Sequence, residues 1–270
     1  MFHKAYAFDI DDNLLHTNCT VFVEKWDGSK MQRCEIPESE LKAKLKEGRT
    51  YPNNDPEECY YNMRLGGGKL AQDLFDALDA KAYGPSWERF KLANLQASPI
   101  GIITARGHPI EDLRSAHQAL LHEAFTIEER EQFLERMKLR LGEHRASSDR
   151  LIRDFFDMNY YAACANKDYS DSLQIPFDTP SSKKKVYAFD KFIEHIVALN
   201  QHGKINPHQK ALKIWFSDDS LANLSAVEEA IQNTFVLSYP EITFALYNTN
   251  NPRFVKKTLY ASAQNKEPEF

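Results

Sequence analysis

The chain has 270 residues, of which 42% are hydrophobic, 12% aromatic and 27% charged, and its formal net charge is -5. That is enough apolar material for a buried core, built as one large domain or as a core with an inserted module. Nothing in the acidic balance argues for a nucleic-acid or membrane surface, and it leaves room for a local basic pocket around a phosphate. Cys19, Cys34, Cys59 and Cys164 are widely spaced with no Cys-x-x-Cys, so zinc is not expected and free thiols are the simplest reading. A Cys19–Cys34 disulfide across a hairpin is the minor alternative. No stretch approaches the ~20 apolar residues of a membrane span, no signal peptide is expected at Met1-Phe2-His3-Lys4, and a cytoplasmic location follows as the expectation.

Ala5 to Ile10 reads as a strand, apolar without alternation and therefore buried on both faces, running into Asp9-Ile10-Asp11-Asp12-Asn13. Thr20 to Trp26 and Met31 to Ile36 flank Asp27-Gly28-Ser29-Lys30 as a hairpin. Glu38 to Glu47 reads as a charged helix, and Arg49 to Gly68 as a loop rich in Pro, Asn and Gly. Lys69 to Ala80 and Trp87 to Leu95 follow as helices, then a buried strand over Pro99 to Thr104. Pro109 suits the start of a helix running to about Ala124.

Thr126 to Leu141 is amphipathic, with Thr126-x-x-Glu129 as a capping box, and Ser148 to Asp157 is also helical. Tyr160 to Ala165 is either a third core strand or a helical continuation. Lys183 to Leu199 forms a helix with Phe189, Phe192, Ile193 and Ile196 on one face. Leu212 to Phe216 is a fourth strand ending at Ser217-Asp218-Asp219. Ser220 to Gln232 is a helix and Ile242 to Tyr247 a fifth strand, and the chain after Phe254 is polar and peripheral. Strands alternating with helices predict an α/β fold on a parallel sheet.

Ligands of such sheets bind beyond the carboxyl ends of the strands. Those ends carry Asp9 and Asp11, then Thr104, then Asp218 and Asp219. Carboxylates converging there form an oxygen-rich site of the kind Mg²⁺ takes, and their mutual repulsion calls for a cation. The run Lys183-Lys184-Lys185 opens the following helix, from which one ammonium can reach back over the sheet edge.

Ala7-Phe8-Asp9-Ile10-Asp11-Asp12-Asn13-Leu14-Leu15 resembles the first motif of the haloacid-dehalogenase-like (HAD) family. Ile102-Ile103-Thr104 is similar to the second and one of the three lysines to the third. Trp215-Phe216-Ser217-Asp218-Asp219, with Asn223 downstream, is similar to the fourth. The resemblance spans about residues 4 to 250. It implies a Rossmann-like three-layer α/β/α core over 1–255, with a β-hairpin flap or small cap inserted at 16–68, a helical elaboration at 126–157 and a peripheral tail at 256–270.

It also implies a Mg²⁺-dependent phosphatase acting on a small phosphorylated substrate. Asp9 would be the nucleophile forming an aspartyl-phosphate and Asp11 the general acid/base. Thr104 and Lys185 would bind phosphate, with Lys184 and Lys183 as alternatives to Lys185. Asp9, Asp218, Asp219 and the backbone carbonyl of Asp11 would hold the metal. Asn13 departs from the family's Thr or Val. Phosphotransfer to another acceptor, or a binding module without catalysis, are the competing functions. A nucleotide, a sugar phosphate and a phosphoprotein all remain open as substrates. Arg106 and His108 either reach a substrate or lie on the surface. Lys25, Lys30 and Arg33 read as solvated charges, and Trp26 and Trp87 as packing residues.

Overall fold

A computed structural model describes residues 3–48, 50–52, 56–201, 212–250 and 256–261. Strand β1 (Lys4–Phe8) leads into the small antiparallel pair β2 (Thr20–Trp26) and β3 (Met31–Pro37). There follow α1 (Glu38–Lys46), β4 (Thr50–Pro52), the short α2 (Pro56–Cys59) and the helices α3 (Lys69–Asp79) and α4 (Trp87–Leu95). Strand β5 (Ile100–Thr104) precedes α5 (Ile110–Ala124), α6 (Ile127–Leu141) and α7 (Ser148–Asp157). Then come β6 (Tyr160–Ala163), α8 (Lys167–Ser172), α9 (Ser181–Gln201), β7 (Leu212–Asp218), α10 (Leu221–Ala230), β8 (Ile242–Asn248) and β9 (Lys256–Tyr260).

The main sheet runs β6-β5-β1-β7-β8-β9, with every pairing parallel except that of β8 with β9. Numbered by first appearance, its strands read 3-2-1-4-5-6, the Rossmann order, and the order reverses at β1. The fold is therefore Rossmann-like α/β. Alternation along β1 distributes its side chains between two cores. Tyr6 and Phe8 join the core under α3 to α7, while Ala5 and Ala7 join that under α9 and α10. The apolar stripe of α9 is fully buried at Phe189, Phe192, Ile193 and Ile196, each contributing about 1.5–3 kcal/mol of transfer free energy. This fixes the rotation of α9 and with it the direction of its first turn. No helix among the described residues is long and apolar enough to cross a membrane.

Three sequence expectations are corrected. The segment read as a loop after Arg49 holds β4, which pairs antiparallel with β2 and makes the inserted module a three-stranded sheet β3-β2-β4. Its own small core contains Cys19, Val21, Val23, Cys59 and Met63. The tail read as peripheral holds β9, an edge strand of the main sheet; the rest of that tail from 262 lies outside the described residues. Trp26 is 44% exposed rather than packed. The hairpin turn is as expected, with the Asp27 carboxylate accepting from the Ser29 and Lys30 amides. So is the capping box of α6, and all four cysteines are free.

Candidate active site

Parallel pairing sets the carboxyl ends of β1, β5 and β7 along one edge of the sheet. Phe8 is in register with Ser217, so the next residues, Asp9 and Asp218, leave adjacent strands at the same level. The Asp9 amide donates to the Ser217 carbonyl at 3.0 Å and keeps the two strands together past the ladder's end. The chain then folds tightly, with the Leu14 and Leu15 amides donating to the Ile10 carbonyl and Asp12 in the left-handed region at φ 54°. This turn leaves Asp11 close enough to act electrostatically on Asp9.

Asn13 secures the turn. It is fully buried, and its amide donates to the Asp9 and Ser217 carbonyls at 3.0 and 3.1 Å. Its oxygen accepts from the Ser217 and Thr249 hydroxyls at 2.8 and 2.9 Å. All four hydrogen-bonding positions of the side-chain amide are thus used. Gly84 packs on the same loop so closely that a Cβ there would lie 2.4 Å from the Asn13 carbonyl oxygen.

Lys185, near the start of α9, is fully buried, and its ammonium lies 2.6 Å from Asp9 Oδ2 and 2.6 Å from Asp218 Oδ2. Asp218 also accepts from the Ser220 amide at 2.9 Å and from Asn223 Nδ2 at 3.1 Å. Of the three candidate lysines, Lys185 alone is at the carboxylates. Lys184 turns away and donates to the Phe177 carbonyl at 2.7 Å. Among the described residues, Asp9, Asp218 and Asp219 form a group whose ligand oxygens all lie within 4.8 Å of one another.

These carboxylates are crowded. Burial, augmented by Asp218, Asp11 and Asp219 and only partly opposed by Lys185, pushes Asp9 up to about 8. Burial and the neighbouring Asp218 push Asp219 up to about 6. The pair Asp9 and Asp218 in turn holds Lys185 charged against the effect of its burial. Three closely spaced oxygen donors, with ionisation disfavoured at Asp9 and Asp219, form a set that a hard divalent cation would relieve.

Asp11 lies in a different environment. Arg106 Nε and Nη2 donate to its two carboxylate oxygens at 2.9 and 2.8 Å, and the Thr17 hydroxyl adds a third bond at 2.6 Å. Burial works to raise its pKa, but Arg106 and Thr17 outweigh that and hold the carboxyl below the usual range. Its side chain stands outside the three-carboxylate group. Arg106 Nη1 also reaches Asp73 Oδ2 on α3 at 2.9 Å. The surface alternative for Arg106 and His108 is therefore overturned, since both are fully buried. The ring of His108 bonds the Leu65 carbonyl at 2.6 Å, and burial beside Arg106 lowers its pKa.

Thr104 is the last residue of β5, fully buried at the same sheet edge, and its hydroxyl accepts from the Arg106 amide at 3.2 Å. Sequence reasoning missed Asp73, Thr17 and Glu38. Glu38 opens α1 from the inserted module, and burial together with Asp11, Asp12 and Asp219 pushes it up to about 7. The spacing Lys69-x-x-x-Asp73 looks like an ordinary surface helix pair, and nothing local marks Asp73 as buried.

No protein-family model matches the chain, and no curated protein and no solved structure matches it either.

Proposed function

We propose that this protein is a Mg²⁺-dependent phosphomonoester hydrolase of the haloacid-dehalogenase-like type, acting through an aspartyl-phosphate on Asp9. The observation that carries the reading is the Lys185 ammonium bridging Asp9 and Asp218 at 2.6 Å each, with Asp219 beside them, where the strand order reverses. A buried lysine between two carboxylates at a sheet edge can exchange part of its pairing for phosphate oxygens. Asp9, Asp218 and Asp219 would hold Mg²⁺, which supplies charge neutralisation for the carboxylates and for the phosphate oxygens.

In the first half-reaction an Asp9 carboxylate oxygen bonds to phosphorus as the bond to the leaving oxygen breaks. Lys185 and the Thr104 hydroxyl would bind non-reacting phosphate oxygens. In the second, water attacks phosphorus, the bond to Asp9 breaks, and Asp11 takes a proton from the water. Arg106 keeps Asp11 ionised, which suits it to that second role. The same pairing makes Asp11 a poor proton donor to the leaving oxygen, so kcat/KM, which reports the first half-reaction, should depend steeply on leaving-group pKa. A series of substituted phenyl phosphates measures this, and a flat response would show that Asp11 does donate a proton to the leaving oxygen.

The test of the whole reading is a broad phosphate panel with Mg²⁺, with and without chelator, on the wild type and on Asp9→Asn. Turnover should need the metal and vanish in the variant. Activity that survives either treatment would rule out the mechanism. A binding module without catalysis is the second reading. It is favoured by the engagement of both Asp11 oxygens, and silence across the whole panel would support it.

A further inference from the structure

A cavity of about 680 Å³ lies between the inserted module and the main sheet, within the range of small-ligand sites. Its position relative to the carboxylates follows from two of its walls. Cys164, just past β6, lines it, and its amide donates to the Thr104 carbonyl at 2.8 Å. Ala105 and Gly107, which flank Arg106, line it as well. One end of the cavity therefore adjoins Thr104 and Arg106, on the sheet edge that carries Asp9.

The rest of the lining has a different chemistry. Tyr60 and Met63 from the module, and Phe177 from the segment before α9, supply flat and apolar surface. Two cations stand on the Phe177 ring, Lys184 with its ammonium 4.6 Å from the centroid and Arg64 with its guanidinium carbon at 5.5 Å. Lys184 is 5% exposed and forms no ion pair among the described residues. Its ammonium gives one bond, at 2.7 Å to the Phe177 carbonyl, which leaves two of its three donors. Asp178 also lines the cavity and acts on Lys184 only through space. A buried ammonium without a carboxylate partner is unfavourable, and an anion entering the cavity would relieve it.

We propose that this cavity takes a phosphomonoester whose leaving group is flat and apolar and carries a second anionic group, gripped by Lys184 and Arg64. The proposal rests on the phosphoryl-transfer reading of Asp9, which places the phosphate at the other end. It selects a small bis-anionic molecule over a phosphoprotein, because the cavity is walled on the module side by Glu38, Tyr60 and Met63.

The test is calorimetric titration of the full chain with Mg²⁺, using phenylphosphonate and its 3- and 4-carboxylated derivatives. These ligands cannot be hydrolysed, so binding is read whether or not the protein turns anything over. One carboxylated ligand should bind at least about tenfold tighter than phenylphosphonate, the gain of charge-assisted hydrogen bonds to the second anion. In Lys184→Met and in Arg64→Met that ratio should fall towards one, and Lys184→Arg, which keeps the charge, should retain part of it. The variants are checked for native circular dichroism, and the wild-type ratio stands independently of them. Equal affinities in the wild type, no binding of any phosphonate, or a ratio unchanged in both methionine variants would each overturn the proposal. A preserved carboxylate preference without turnover on any phosphate ester would instead overturn the hydrolase reading and leave the bis-anion site in place.

Discussion

The candidate site contains the same electrostatic device twice, built with different cations. In one, Lys185 lies between Asp9 and Asp218; in the other, Arg106 lies between Asp11 and Asp73. Both cations are fully buried. The lysine is a point charge with rotatable donors, so it can exchange one acceptor for another without a fixed geometry. The guanidinium is a planar fork that engages both oxygens of Asp11 and fixes the carboxylate's orientation. One half leaves its carboxylates with an exchangeable partner; the other holds a carboxylate in one orientation. The Arg106 half also ties the turn after β1 to α3, whereas the Lys185 half joins strand ends to α9.

Breaking the two carboxylates separately gives the largest expected effects. Asp9→Asn should lower turnover by about 10³-fold or more, with no phosphoenzyme formed. Asp11→Asn should slow the second half-reaction specifically, so that phosphate remains on the protein after an acid quench. If Asp11→Asn left no trapped phosphate while activity was lost, Asp11 would belong to the first half-reaction instead.

Replacing the cations should sharpen the contrast. Lys185→Met and Arg106→Met each leave buried carboxylates without their partner and should each cost about 3–5 kcal/mol of stability in metal-free buffer. At one fixed concentration Mg²⁺ should stabilise Lys185→Met more than it stabilises the wild type, because the metal would no longer compete with the lysine for Asp9 and Asp218. Arg106→Met should gain no more from Mg²⁺ than the wild type does. Thermal unfolding with and without Mg²⁺ decides this, and equal rescue of both variants would show that the two halves share one metal-linked function.

A pH effect separates pairing from burial alone. His117 is held among Phe90, Phe155, Phe156 and Tyr161, bonded to Asn94 and Tyr161 at 2.9 and 3.1 Å. Burial drops its pKa from 6.5 to about 3. The unfolded chain therefore binds a proton in that window that the folded chain refuses, and stability falls as the pH is lowered through it. The slope from this residue is at most about 1.4 kcal/mol per pH unit between pH 6.5 and 3. Urea unfolding of His117→Gln across that range should show a shallower decline than the wild type; an identical slope would mean that His117 is protonated in the folded state.

The sequence made the helix and strand alternation legible because each core strand is a short apolar run and each long helix has a stripe. It also pointed to Asp9, Thr104, Asp218 and Asp219, since polar residues that end apolar strands must emerge at one sheet edge, and to Lys185 through the helical spacing of Phe189 and Phe192 behind it. What it did not disclose has physical reasons. Strand β4 is three residues long and includes Pro52, so neither alternation nor propensity marks it. Strand β9 begins Lys256-Lys257-Thr258 and sits at the sheet's edge, where polar residues are tolerated. Arg106 reads locally as a solvated charge, because its burial depends on Asp73, which lies 33 residues earlier on α3. Asn13 reads as a departure from a motif, although in three dimensions it contacts the ends of two other strands.

That last residue has a consequence for motion. By bonding at once to the Asp9 and Ser217 carbonyls and to the Ser217 and Thr249 hydroxyls, Asn13 makes the first loop and the far ends of β7 and β8 one mechanical unit. Thermal displacements of Asp9 and Asp218 should then be largely shared, and the gap between them should vary less than the position of either. A valine in place of Asn13 would uncouple them, and the loss should register as faster amide exchange at Asp9 and Thr249, whose N–H groups bond to the carbonyls of Ser217 and Asp218.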